Sequence, residues 1–241
     1  MTGKRRPPGA EPSLLVSRPR DGVLLLSLNR PGCRNALDLE TVTAMHRMLN
    51  AETERVIVLT SSTPGTFCAG ADLSVSDEER GKVSRALYRL YAQMIELPVP
   101  VIAALDGPAV GGGAQLAVAA DLRVASLSAW FRFVGPGHGL AVGAWALPSL
   151  VGRGRAVDLC LTARRVDAAE ALPMGLVDRV HNDPISAAVE LGAALAGLDA
   201  EAVARTKEIV RLGAVTGAAL ALESEGNSGW QGAAPPAPST R

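Results

Sequence analysis

Two glycine-bearing turns, each delivered by a short apolar strand, constrain this chain more than any other feature. Val56-Ile57-Val58-Leu59-Thr60 runs through Pro64-Gly65 into Phe67-Cys68-Ala69-Gly70-Ala71-Asp72-Leu73. Val101-Ile102-Ala103-Ala104-Leu105 runs through Asp106-Gly107-Pro108 into Gly111-Gly112-Gly113, after which Ala114 to Ala120 reads as a helix. β-Branched and apolar runs of this length, bounded by glycine and proline, are strand signals. Glycine allows close backbone approach, and a helix start presents unpaired N–H groups with a favourable dipole. A pair of such donors aimed at one carbonyl oxygen is the cheapest way to stabilise an oxyanion. Either turn alone is a common packing device.

The rest of the chain follows the same strand–helix rhythm. Val23 to Asn29 is an apolar run closed by Arg30-Pro31-Gly32. Asp38 caps a helix through Met48, with Leu39, Val42, Met45, His46 and Leu49 at helical spacing. Ser84 to Leu97 carries Leu87, Leu90, Tyr91, Met94 and Ile95 on a second amphipathic helix, stopped by Pro98 and Pro100. This alternation predicts an α/β fold with parallel crossovers. Beyond Arg153 the chain reads as helical, with Asp167 to Ala171 and Asp183 to Lys207 as candidates. The expected organisation is a disordered lead over residues 1–12, a core over 13–180, a C-terminal helical region over 181–225, and a disordered Gly/Pro/Ser-rich tail over 226–241.

Composition excludes several classes. The 241 residues suffice for one α/β domain with a substantial core. Lys and Arg (24) balance Asp and Glu (24), so no charge excess marks a nucleic-acid or polybasic membrane surface. No apolar run is long enough to span a bilayer, and the basic start Lys4-Arg5-Arg6 precedes no signal-length apolar segment. Cys33, Cys68 and Cys160 form no CxxC pair, which predicts no metal site and suits a reducing, cytoplasmic setting. The dinucleotide, P-loop and α/β-hydrolase signatures are missing. Gly135, Gly137, Gly139 and Gly143 fit none of those spacings and read as a flexible loop.

Taken together, Phe67 to Leu73, Asp106 to Leu116, Ala120-Asp121-Leu122-Arg123-Val124 and Leu147 to Ala156 resemble the crotonase (enoyl-CoA hydratase/isomerase) superfamily. The resemblance covers about Val23 to Val180. It implies the ClpP/crotonase-like α/β fold, built from repeated ββα units with a C-terminal helical region, usually assembled as a homotrimer or dimer of trimers. It implies a coenzyme A thioester as substrate or ligand, with no separate cofactor. By the same resemblance the oxyanion donors fall on the amides of Ala71 and Gly112. Arg30-Pro31-Gly32-Cys33-Arg34-Asn35-Ala36-Leu37 is similar to the family segment that meets the nucleotide and pantetheine of CoA. The implied CoA contacts are Arg34, Ala36, Leu37, Ala69, Asp72, Leu73, Gly111, Trp130 and Trp145. Arg34 also reads as a solvated surface residue, and Asp72 as a cap for the segment after Ala71.

The family's two glutamates are replaced. The first position is Gln115, whose amide can hold a water but cannot exchange a proton at neutral pH. The second falls on Gly135, or on Arg132 if counted back from Leu147, and no Asp or Glu occurs from Leu122 to Val157. His138 is the one titratable base in that loop, with a surface role as the rival reading. Asp77, Glu78 and Glu79 lie near the expected acyl chain and equally suit a solvated helix start. The chain thus resembles crotonase paralogues that lack the catalytic glutamates and bind acyl-CoA in fatty acid metabolism. The alternative is an active hydratase or isomerase (a lyase by family), or another CoA-thioester enzyme, using a non-standard group such as His138.

Overall fold

The computed structural model describes residues 11–51, 53–213 and 216–228. Residues 1–10 of the lead predicted over 1–12, and 229–241 of the predicted tail, lie outside the described residues. Two sheets organise the core. The larger has the order β1-β2-β3-β4-β6-β9 and comprises β1 (Leu14–Arg20), β2 (Val23–Leu28), β3 (Val56–Ser61), β4 (Val101–Leu105), β6 (Leu122–Ala125) and β9 (Arg179–Val180). Within it only β1 and β2 pair antiparallel; every other neighbour is parallel. The smaller sheet joins β5 (Ala109–Val110), β7 (Trp130–Arg132) and β8 (Val166–Asp167).

Both faces of the larger sheet are covered, which is why β3 and β4 are buried along their whole length. Period-two alternation sends Leu24, Leu26, Ile57, Leu59, Ala103 and Leu105 to one face. There they meet Val42 and Met45 of α1 (Leu39–Ala51) and Leu90 and Met94 of α2 (Asp77–Glu96). Val23, Val56, Val58, Ile102, Ala104 and Val124 go to the other face and pack on Ala188 and Val189 of α7 (Pro184–Ala196). The remaining α-helices among the described residues are α3 (Gly112–Val118), α4 (Leu147–Val151), α5 (Arg153–Thr162), α6 (Ala168–Met174), α8 (Ala200–Gly213) and α9 (Thr216–Gly226).

Several boundaries differ from the sequence expectation. Asp38 does cap α1, accepting from the Thr41 N–H at 2.8 Å. The second helix starts well before Ser84, because Ser76 and Glu79 form a reciprocal capping box and Asp77, Glu78 and Glu79 fill its first turn. The acidic cluster is therefore a helix start. The predicted helix over 183–207 is two helices, α7 and α8, interrupted at Gly197-Leu198-Asp199; Asp199 accepts from the Ala202 N–H at 2.8 Å. Residues 135–140 close on themselves, with the His138 and Leu140 N–H groups donating to the Gly135 carbonyl at 2.8 and 3.1 Å. Asn227, placed in the tail by sequence, is buried.

Two charged anchors tie the C-terminal half to the sheet. Arg123 is buried, pairs with Asp178 at 2.7 Å and donates to the Leu176 and Ala120 carbonyls. Asp121 accepts from the Val101 N–H and pairs with Lys207 of α8, both at 2.7 Å. Asp121 thus serves the framework.

Candidate functional site

The two glycine turns meet. The segment 34–37 runs beside 69–72: Ala69 N–H donates to the Arg34 carbonyl, Leu37 N–H to Gly70, and Asp72 N–H to Leu37. Asn35 holds this arrangement from inside, donating to Ser61 Oγ and the Phe67 carbonyl while accepting from the Arg30 N–H. On the other side, the Val110 N–H donates to the Cys68 carbonyl and the Gly111 N–H to the Arg132 carbonyl. These ladders use the amides around Ala71 and Gly112 and leave those two without a backbone acceptor among the described residues. Gly112 opens α3, so its N–H is one of the helix's unpaired donors. A methyl group built on Gly112 would lie 3.4 Å from the Ala71 nitrogen, and one on Gly70 would lie 3.4 Å from the Gly112 nitrogen. The two donors are neighbours.

Glycine is required at two of these positions. Gly111 has φ +52° and ψ −117°, a conformation that a Cβ disfavours. Gly70 has φ +97°, and a Cβ there would sit 2.8 Å from the Val110 carbonyl oxygen.

A cleft opens over these amides, lined by Ala69, Ala71, Leu73, Gly111, Gly112, Gln115 and His138, together with Leu87, Tyr88, Tyr91 and Asn227. Of the sequence-derived candidates, the structure brings the first seven together. The others lie elsewhere. Arg34 is exposed, with φ +53°, while Ala36 and Leu37 are buried, Leu37 forming an isolated parallel bridge with Ala71. Asp72 binds Arg30 at 3.2 Å and caps Ser74, accepting from its N–H at 3.0 Å and its hydroxyl at 2.6 Å. Those donors hold its carboxyl below the usual range against the opposing effect of burial. Trp130 lies outside the cleft, with the Arg165 guanidinium 4.8 Å above its ring. Trp145 is buried behind Gln115 and stacks on Tyr91 at 6.1 Å.

Gly135 also lies outside the cleft lining, and a Cβ there would come within 2.7 Å of the Leu140 carbonyl oxygen and 3.0 Å of the Val142 nitrogen. The closed turn over 135–140 leaves no room for a carboxylate side chain at this position. Gln115 is buried, and its carbonyl oxygen accepts from Trp145 Nε1 at 2.8 Å and the Gly143 N–H at 3.2 Å. Cys68 is no nucleophile, since burial pushes its thiol up to about 12.

Behind the Tyr88 wall of the cleft lies a buried carboxylate, and it comes from the C-terminal helix. Glu223 of α9 is 5 % exposed. It accepts from the Tyr88 hydroxyl at 2.8 Å and from the Gly143 and Trp145 N–H groups, both at 3.2 Å. Burial raises its carboxyl to about 7, against the lowering effect of Tyr88 and the loop amides. Asn227, one turn on, donates to the Tyr88 oxygen at 2.7 Å and to the Ala141 carbonyl at 2.6 Å. Sequence reasoning missed this group because it sought the acid within the loop. The available signal was the helical spacing of Leu220, Glu223 and Asn227, which puts two polar residues on a buried face.

The fold and these two turns define a crotonase-type protein. The family model for enoyl-CoA hydratase/isomerase matches residues 18–227, and the chain belongs to that family. It is 42% identical over 171 residues to "Probable enoyl-CoA hydratase echA6" of Mycobacterium leprae, covering 66% of this chain and 68% of that one. It is 37% identical over 213 residues to the mitochondrial enoyl-CoA hydratase domain-containing protein 2 of Mus musculus, covering 83% and 71%. Among solved structures, an enoyl-CoA hydratase from Bacillus anthracis superposes with a TM-score of 0.78 at 32% identity, covering 90% of each chain. A monofunctional enoyl-CoA isomerase from M. smegmatis gives 0.72 at 31% identity, covering 87% of this chain and 98% of that one.

Proposed function

We propose that this protein binds fatty acyl- or enoyl-CoA thioesters, with the thioester oxygen between the Ala71 and Gly112 N–H groups, and that it hydrates enoyl-CoA poorly. The observation that carries the reading is the pair of adjacent amides without backbone acceptors at the floor of a cleft. Gln115 offers no proton acceptor there, and the Gly135 position has no room for one. Positioned acid–base groups contribute on the order of 10²–10⁴-fold each, so lacking both at their usual places suppresses hydration. Fatty acid metabolism and a cytoplasmic setting belong to the same reading. So does a homotrimer or dimer of trimers, supported by the exposed Ile209, Val210 and Leu212 on α8.

Thermal unfolding with a graded series of acyl-CoAs tests the binding. A ligand at about 100 times its Kd stabilises by about 2.7 kcal/mol, a readily measured rise in Tm. Acyl-CoA should raise Tm, while free fatty acid and ATP should do so much less. No rise with any acyl-CoA, from short to long, would overturn the reading.

A further inference from the structure

A side-chain relay that none of the aligned glutamate positions supplies runs from the cleft wall at Tyr88 back to buried Glu223. Tyr88 is a lining residue, and its hydroxyl is fixed on both sides: it accepts from Asn227 and donates to Glu223. Glu223 in turn sits in a loop of donors formed by the Gly143 and Trp145 amides. The Gly143 N–H is shared with Gln115, so the Glu223 carboxylate lies next to the residue standing where a glutamate is usual. We propose that the Tyr88 hydroxyl exchanges the α-carbon proton of a bound CoA thioester, with Glu223, carried in by α9, taking up and returning the hydroxyl's own proton.

The inference rests on the thioester reading above. The Tyr88 oxygen takes a proton from the α-carbon while its own proton passes to Glu223 Oε1. The C–H electron pair becomes an enolate, whose oxygen is held by the Ala71 and Gly112 amides. Reversal returns a proton to carbon, so atoms and charge balance with no other reactant. Concerted transfer avoids a free phenolate, which burial and the neighbouring Glu223 carboxylate both disfavour. The groups facing Glu223 are Tyr88 and Tyr91 of α2, Gln115 of α3, Cys160 of α5, the amides of the 143–145 loop, and Asn227 beyond its own helix. No salt bridge to it occurs among the described residues. Glu223 is a positioning residue here; Tyr88 is the group that meets substrate.

The test is deuterium incorporation at the α-carbon of trans-3-hexenoyl-CoA in D2O, followed by mass spectrometry, with thermal shift by the same compound run in parallel. Wild-type protein should exchange at least about a hundredfold faster than buffer, with the rate falling as pH drops below about 7. Glu223→Gln should lose about a hundredfold and its pH inflection while keeping the thermal shift. Tyr88→Phe, which removes one oxygen from a packed ring, should lose as much and covers the case in which Glu223→Gln fails to fold. Binding without exchange in wild type overturns the relay and leaves the thioester reading intact. Exchange retained in either variant, with the wild-type pH profile, also overturns it. Absence of both binding and exchange overturns the two together.

Discussion

Replacing Glu223 by glutamine gives a stability change whose size and pH dependence come from the structure. Glu223 is 5 % exposed and the pKa of its carboxyl rises from 4.5 to about 7, chiefly because burial penalises the charged form. The folded state therefore holds a proton that the unfolded chain has released. Below pH 4.5 both states are protonated, and the group's favourable contribution is fully present. Between 4.5 and about 7 the unfolded state is charged while the folded state resists charging, so stability falls as pH rises. At about 1.4 kcal/mol per pH unit, the interval amounts to about 3 kcal/mol, after which the curve is flat. Glutamine is nearly isosteric with the protonated acid and cannot ionise. Wild type and Glu223→Gln should therefore be similar near pH 4.5, and the variant should gain steadily on wild type up to about pH 7. Urea denaturation of both proteins at half-unit steps from pH 4.5 to 8 reads this difference directly, since other titrating groups are common to both. A difference independent of pH would refute the reasoning, because it would mean that the Gly143, Trp145 and Tyr88 donors fully offset the burial. A variant that became less stable than wild type as pH rose would refute it more strongly.

Two other substitutions probe the framework and the cleft. Lys207→Met leaves Asp121 partly buried without its 2.7 Å partner and frees the Met94 and Val99 carbonyls, so it should cost about 3 kcal/mol in urea denaturation; a loss under about 1 kcal/mol would contradict the anchoring of α8. Gln115→Glu should raise hydration of a short 2-enoyl-CoA by about tenfold, or about 1.4 kcal/mol of barrier, with one proton shared between it and Glu223 across the Gly143 amide; Gly135→Glu should give no gain and lower Tm, and a gain from Gly135→Glu alone would refute the account of that loop.

The sequence alone determined the parts of this protein that local backbone chemistry controls. The strands over 23–28, 56–61 and 101–105 are legible because a strand buried on both faces must be apolar throughout. The two glycine turns are legible from their spacing, the resemblance to the crotonase superfamily is what points to the Ala71 and Gly112 amides within them, and the folded ladders leave both without a backbone acceptor among the described residues. Residues whose roles depend on their packing neighbours were not legible. The resemblance implies that Trp130 and Gly135 are site residues, whereas in the fold one lies under Arg165 and the other is closed off by the Leu140 carbonyl. Glu223 looks like an ordinary polar position on a C-terminal helix. Only the docking of α9 against Tyr88 and the 143–145 amides buries that carboxyl, and burial is what raises its proton affinity. That contact joins residues far apart in sequence, and its energy comes from desolvation, which exists only once the chain has folded around it.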